Sequence, residues 1–423
     1  MDHFLVRPSG PLLGEVPVQG AKNSALKLMA ASLLAEGTTR LRNVPRITDV
    51  AIMADMLRAL GASVERDAEG DLLVDSPAEL VPVAPYELVE RMRASIVVLG
   101  PLLARQGRAR LSLPGGDDFG QRPIDFHLRA FSELGAEFST EHGYVEGHCD
   151  RLVGARIVLE YPSHTTTDNV LMAAVLAKGT TLIENAAREP EVEDLASLLR
   201  SMGARIEGDG TSRIEVEGVD ALHPGDHVTV ADRVEAATFL AATALAGGEV
   251  HVRGARHEHM DMLLDKLAAT GMEPEVTATG ILARASGRPL PVDVATLPYP
   301  GVATDYKPLL VTLLSVATGV SIVSENLFSG RFRYVDELCR MGADIRTEGH
   351  HAVIRGVARL SGAPVRAPDI RGGAALVLAG LVADGETSVA GARHVDRGYE
   401  DFAGKLRRLG ADVTRVDDDR PSD

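Results

Sequence analysis

An α/β fold built from six copies of one helix–strand unit is predicted, because three features recur together along the chain. A Leu/Met-Gly-Ala phrase stands at Gly61, Gly135, Gly203, Gly342 and Gly410, with a weaker Thr-Gly-Met copy at Gly271, at intervals of 68 to 74 residues. A helical pattern precedes each phrase and a strand-like run follows it. Upstream in each unit sits a second helix-ending glycine: Gly37, Gly107, Gly179, Gly248, Gly319 and Gly385. Units of about 70 residues, six in total, account for the whole chain.

The first unit shows the local logic. Leu26, Met29, Ala30 and Leu33 fall at i, i+3, i+4, i+7 before Glu36-Gly37 stops the helix. Thr38 to Val44 then reads as a strand. Val50, Met53, Ala54 and Leu57 repeat the helical spacing, Gly61 ends that helix, and Ser63-Val64-Glu65 and Asp71 to Val74 read as strands. Helices this apolar can lie at the centre of a domain. Turn residues at His223-Pro224-Gly225-Asp226 interrupt the pattern and suggest two groups of three units. The N-terminal stretch Phe4 to Val18 precedes the first unit, reads as a strand pair and fits either half.

At 423 residues the chain can bury a large core, and 45% apolar with 25% charged residues is the balance of a soluble globular protein. No apolar run approaches the length of a membrane helix, and Met1-Asp2-His3 does not open a signal peptide, so a cytoplasmic enzyme is expected. A net charge of −16 without a basic stripe argues against broad nucleic-acid or acidic-membrane binding. Any anionic ligand must therefore meet cationic side chains converging on one cleft. The two cysteines, Cys149 and Cys339, lack metal-ligand spacing and are expected to be structural thiols. His257-Glu258-His259 and His350-His351 are too isolated to suggest a metal site.

One loop stands out, Leu113-Pro114-Gly115-Gly116-Asp117-Asp118-Phe119-Gly120-Gln121-Arg122-Pro123. Its three glycines permit close approach of a ligand to the backbone, so the loop is suited to carry an acid to a reacting carbon. Matched positions add to it. Fourteen residues before the six upstream glycines lie Asn23, Arg93, Thr165, Val234, Asp305 and Arg371, five of them polar at the start of an otherwise apolar helix. Helix N-termini facing one cleft would form an anion site. Twelve residues after Gly319 and Gly385 come Arg331 and Arg397. Asp168 and Asp232 are expected to cap helices; Asp305, in Thr304-Asp305, is expected to be functional.

Five phrases in order carry a resemblance that spans nearly the full chain. Gly20-Ala21-Lys22-Asn23-Ser24, Arg93-Ala94-Ser95-Ile96, Pro114-Gly115-Gly116 with Gly120 and Arg122-Pro123, Glu184 to Pro190, and Asp396-Arg397-Gly398-Tyr399-Glu400 resemble the enolpyruvyltransferases. Within that family they are most similar to the UDP-N-acetylglucosamine enolpyruvyltransferases of peptidoglycan precursor synthesis, and the family also includes 5-enolpyruvylshikimate-3-phosphate synthase. The resemblance implies two inside-out α/β domains of three units each, one covering residues 22–229 and the other 1–21 with 230–423, and an active site in the cleft between them. It implies a cytoplasmic transferase of cell-wall biogenesis, with phosphoenolpyruvate and a uridine nucleotide sugar as substrates, no metal and no organic cofactor.

On this resemblance the enolpyruvyl group of phosphoenolpyruvate moves to the sugar 3′-hydroxyl and phosphate leaves, by addition and elimination. Lys22, Asn23, Arg122, Arg331, Asp369, Arg371 and Arg397 are assigned to phosphoenolpyruvate, whose anionic groups suit guanidinium forks. Addition needs an acid for the methylene carbon and a base for the attacking hydroxyl, assigned to Asp117 and Asp305, with Lys22 and Asp369 as further proton handlers and Arg397 also counted as catalytic. Asn23, Arg93, Arg122, Ser163, His164 and Asp305 are assigned to the acceptor. The turn Arg122-Pro123-Ile124-Asp125-Phe126 would flank the uracil, and backbone near Leu327 would complete the sugar site.

Two departures bear on this. Many family members have Cys where this chain has Asp117, and the reaction needs a proton donor there, so insensitivity to the thiol-alkylating epoxide fosfomycin is expected. The family's Ser-Val-Gly-Ala-Thr-Glu-Asn phrase, whose start lies against the nucleotide diphosphate, is here Ser163-His164-Thr165-Thr166-Thr167-Asp168-Asn169, and Phe-Pro before the Thr-Asp pair is Val302-Ala303. An acceptor with a different phosphate, such as UMP in nucleoside natural-product synthesis, is the alternative. A non-catalytic binding protein is disfavoured by the retained Lys22, Asp305 and Arg397.

Overall fold

The computed structural model describes residues 2–113, 124–328 and 330–417. Among these, the chain forms two compact bodies, one of residues 20–113 and 124–230, the other of residues 2–19 and 231–417. The turn at His223-Pro224-Gly225 is followed by one more strand, Asp226–Val228, which pairs parallel with Gly37–Arg42, so the first body runs on to Val230.

The repeat is visible as a repeated sheet. In the first unit, helix Lys22–Ala31 leads to strand Gly37–Arg42, helix Thr48–Ala59 and strands Ser63–Arg66 and Leu72–Ser76. The three strands pair antiparallel, and Asp226–Val228 adds a parallel edge. The third, fourth, fifth and sixth units each repeat this four-stranded order. In the second unit three strands form the sheet, and a parallel bridge between Val83 and Arg110 marks the edge position. The N-terminal strands complete the other body. His3–Arg7 lies between Thr387–Ala390 and Asp412–Val416, antiparallel to both, and Leu12–Pro17 is the parallel edge beside Gly248–Arg253.

A shared end to the outer helices explains why Leu-Gly-Ala recurs. Each of the six glycines has φ between 87° and 106°, which L side chains rarely adopt. In the first unit Gly61 N–H donates to the Arg58 carbonyl and Ala62 N–H to the Leu57 carbonyl, and the same pair of bonds forms in the other five. This is the Schellman closure of a helix, with the residue after glycine turned into the core.

Helices occupy the centre of each body and the sheets surround them. Every residue of helix Ile370–Leu381 is buried, and it packs on helices Lys307–Leu314 and Arg233–Ala246. A helix buried on all sides has to be largely apolar, with any charge paired, and small where helices meet. In the other body Leu99–Gln106 packs on His164–Ala174 so closely that a Cβ on Gly100 would lie 2.4 Å from the Asn169 carbonyl oxygen. The strands alternate, as in Arg213–Glu217, where Ile214 and Val216 face the core and their neighbours face water. Among the described residues no helix is long and apolar enough to cross a membrane.

Candidate active site

In the body of residues 2–19 and 231–417, Asp305 lies in the turn that enters helix Lys307–Leu314. Its carboxylate accepts from Arg331 Nη1 at 2.7 Å on one oxygen and from Arg371 Nε at 3.4 Å on the other. Both arginine side chains are almost fully buried, while the Asp305 side chain remains 25% exposed. Burial opposes the Arg331 charge, but Asp305 and Asp369 outweigh it and raise the guanidinium pKa. Arg371 is raised in the same way against its burial, by Tyr399 and Asp305, and its guanidinium lies 5.1 Å from the Tyr399 ring centre.

Helix capping places Arg371. Asp369 accepts from the Arg371 and Gly372 N–H groups at 2.9 Å each, which fixes the first turn of helix Ile370–Leu381. Four residues selected from sequence, Asp305, Arg331, Asp369 and Arg371, are therefore gathered in one cluster. Arg397 closes the short helix Ala392–Asp396 and is half-buried. Leu327 is also half-buried, with its N–H bonded to Glu325 at 2.9 Å.

In the other body, Lys22 and Asn23 open helix Lys22–Ala31, and Lys22 Nζ is 3.1 Å from Asp49 Oδ2. Arg93 opens the 3₁₀ turn Arg93–Val98. Burial, with Arg93 nearby, holds His127 down at a pKa of about 3, so its ring is neutral. Asn169 fixes the tautomer: it accepts from Gly100 N–H at 2.8 Å and donates to the Ile96 carbonyl at 2.9 Å, so its amide N–H also faces His127 Nδ1 at 3.1 Å. The His127 proton therefore sits on Nε2.

Ser163 caps helix His164–Ala174, accepting from Thr166 N–H at 3.3 Å. His164 Nε2 lies 3.3 Å from both Lys27 Nζ and Asp168 Oδ2. Ile124 is buried just before helix Asp125–Glu133, which an exposed Asp125 begins, and Phe126 is half-buried. Asp117, Arg122 and Pro123 lie outside the described residues.

The capping expectation divides. Asp232 does cap, accepting from Val234 and Glu235 N–H at 2.7 and 3.1 Å. Asp168 does not: it lies within helix His164–Ala174, fully buried, and pairs with Lys27 at 3.3 Å. Ser163 takes the cap because the helix starts at His164, about one turn before Asp168. Sequence reasoning also passed over Lys27, Asp49, Lys307 and Glu325. A single lysine inside an apolar helical run, as at Lys27 and Lys307, was the available signal, since a buried lysine requires a partner.

The comparisons with known proteins decide the family. A family model described as EPSP synthase (3-phosphoshikimate 1-carboxyvinyltransferase) matches residues 6–406. The chain belongs to the EPSP synthase family. Within that family it is 50% identical over 420 residues to the UDP-N-acetylglucosamine 1-carboxyvinyltransferase of Nocardia farcinica, with 98% of this chain and 99% of the relative covered. It is 51% identical over 419 residues to the protein of the same name from an Anaeromyxobacter species, with the same shares covered. Among solved structures of this family, the enolpyruvyl transferase NikO from Streptomyces tendae matches with a TM-score of 0.88 and 26% identity, covering 98% of this chain and 99% of that one. EPSP synthase from Acinetobacter baumannii shares the fold, with a TM-score of 0.73 at 18% identity, covering 99% of this chain and all of the other.

Proposed function

We propose that the chain transfers the enolpyruvyl group of phosphoenolpyruvate to the 3′-hydroxyl of UDP-N-acetylglucosamine and releases phosphate. The observation that carries this is identity of about half the residues, over nearly the whole of both chains, to relatives named for that 1-carboxyvinyl transfer. The chemistry fits the residues. Arg331 and Arg371 supply permanent positive charge for an anionic donor, as Lys22, Arg122 and Arg397 also do, and Asn23 and Asp369 are the uncharged and acidic members of the set assigned to that donor. Asp305 is the base for the acceptor hydroxyl, and its two arginine contacts hold the carboxylate in one orientation as the proton is taken. Asp117 is the acid that protonates the methylene carbon, and Arg122 neutralises the departing phosphate. Asn23, Arg93, Arg122, Pro123, Ile124, Asp125, Phe126, Ser163, His164, Asp305 and Leu327 hold the acceptor.

A different acceptor phosphate is the second reading. It is favoured by His164, whose ring stands with Lys27 and Asp168 at the start of its helix. Phosphate release from phosphoenolpyruvate, measured alone, with UDP-N-acetylglucosamine and with UMP, separates the readings. Release that requires the sugar nucleotide supports the first, release that requires UMP supports the second, and binding of phosphoenolpyruvate without turnover removes both.

A further inference from the structure

A fully buried carboxylate close to Asp305 is surrounded by five donors. Glu325 Oε1 accepts from Thr296 Oγ1 at 2.8 Å, from Leu327 N–H at 2.9 Å and from Phe328 N–H at 3.1 Å. Its Oε2 accepts from Thr304 Oγ1 at 2.7 Å and lies 2.8 Å from Lys307 Nζ. Lys307 is equally buried; its ammonium also donates to the Arg331 carbonyl at 2.5 Å and sits 3.8 Å from the Phe332 ring centre. The Thr304 hydroxyl, having donated to Glu325, accepts from Arg331 Nη1 at 3.1 Å. The same Nη1 reaches Asp305 Oδ1 at 2.7 Å. The contacts close a ring through Lys307, Glu325, Thr304 and Arg331, with Asp305 attached to it.

Such a pair is a poor source of stability, because desolvating two charges offsets most of their attraction and an apolar pair of similar volume packs as well. Direction is what an apolar pair cannot supply. One carboxylate here orients the hydroxyl beside Asp305, the side chain that holds Asp305, and the Leu327–Phe328 backbone. Burial lowers the Lys307 pKa to about 8, while Glu325, which burial alone would raise, is lowered overall by Lys307 and its hydrogen bonds. At neutral pH the pair is ionised, as the five-donor arrangement requires.

We infer that Glu325 and Lys307 are positioning residues for Asp305, acting through Thr304 and Arg331 without touching the reacting atoms. The inference rests on the proposed role of Asp305 as base. Disturbing the ring should slow the chemical step more than it weakens substrate binding.

The test compares wild type with Glu325→Gln, Lys307→Met and the double variant Glu325→Gln/Lys307→Gln, in kinetics, thermal melting and crystal structure. Glu325→Gln and Lys307→Met are expected to lower kcat at least about tenfold, with KM for phosphoenolpyruvate changed less than about threefold. The double variant, with a neutral donor facing a neutral acceptor, should recover part of that loss. In crystals of Glu325→Gln the Arg331–Asp305 contact should open beyond hydrogen-bond reach. Unchanged kcat in both single variants overturns the inference, as does a loss that follows melting temperature alone with no recovery in the double variant. If wild type turns over with neither acceptor, the proposed function fails, and the crystal geometry still decides here: Asp305 remaining bonded to Arg331 in Glu325→Gln would overturn the positioning role.

Discussion

Lys27 Nζ lies 3.3 Å from Asp168 Oδ2, with side chains 5% and 0% exposed, and His164 approaches the same carboxyl oxygen at 3.3 Å. Burial is the dominant influence on Asp168 and raises its pKa to about 7, with Glu189 and Glu191 adding to the rise and Lys27 opposing it. The folded state therefore holds a proton that the unfolded chain releases near the ordinary carboxylate value. Stability from this group is fully present below about pH 4 and lost as pH rises through about 7. Relative to Asp168→Asn, wild type should lose roughly 3 kcal/mol between those limits, read from urea unfolding of both proteins across the range. A difference that stays constant with pH would contradict this.

Removing the proposed base tests the reaction most directly. Asp305→Asn keeps the shape beside Arg331 and Arg371 but cannot take a proton, so kcat should fall by about 10² to 10⁴. Phosphoenolpyruvate binding, followed by calorimetry, should weaken far less, because the two guanidinium groups remain. Near-normal turnover in this variant would exclude Asp305 as the base.

Asp117 gives a chemical prediction. A carboxylate is a much poorer nucleophile toward an epoxide than a thiolate, so fosfomycin should leave wild type active and unlabelled. Asp117→Cys should become both active and susceptible, with one adduct visible in the intact mass. Labelling of the wild-type protein would show that the side chain is not the limiting feature.

The contact between helices Leu99–Gln106 and His164–Ala174 predicts a stability effect without direct chemistry. Asn169→Ala strands the Gly100 N–H and Ile96 carbonyl and should cost roughly 3 kcal/mol in chemical unfolding. Gly100→Ala should be at least as harmful, since its Cβ would meet the Asn169 carbonyl at 2.4 Å. Melting temperatures within a degree or so of wild type for both would show that the helices separate easily.

Local signals were read well where they determine local geometry. A Leu-Gly-Ala phrase reports a Schellman closure whatever surrounds it, because only glycine adopts the required φ without strain, and all six copies end helices. The matched positions at Asp305, Arg331 and Arg371 were legible because a repeat carries equivalent side chains to equivalent places. Asp168 departs from its expected capping place, since a helix interior and a helix cap look alike over two or three residues when the true cap, Ser163, is also a capping type.

From the sequence alone came the six-unit α/β plan, the apolar central helices and the residues that resemble an enolpyruvyltransferase site, because periodicity and short phrases are properties of contiguous chain. Tertiary structure alone decided that His3–Arg7 completes the sixth sheet, that Glu325 gathers donors from positions 296, 304, 307, 327 and 328, and that Lys27 meets Asp168. Apart from the two backbone donors at 327 and 328, those pairings join segments remote from one another in the chain. A buried charge accepts whichever partner folding delivers to it, and nothing in its immediate neighbours names that partner.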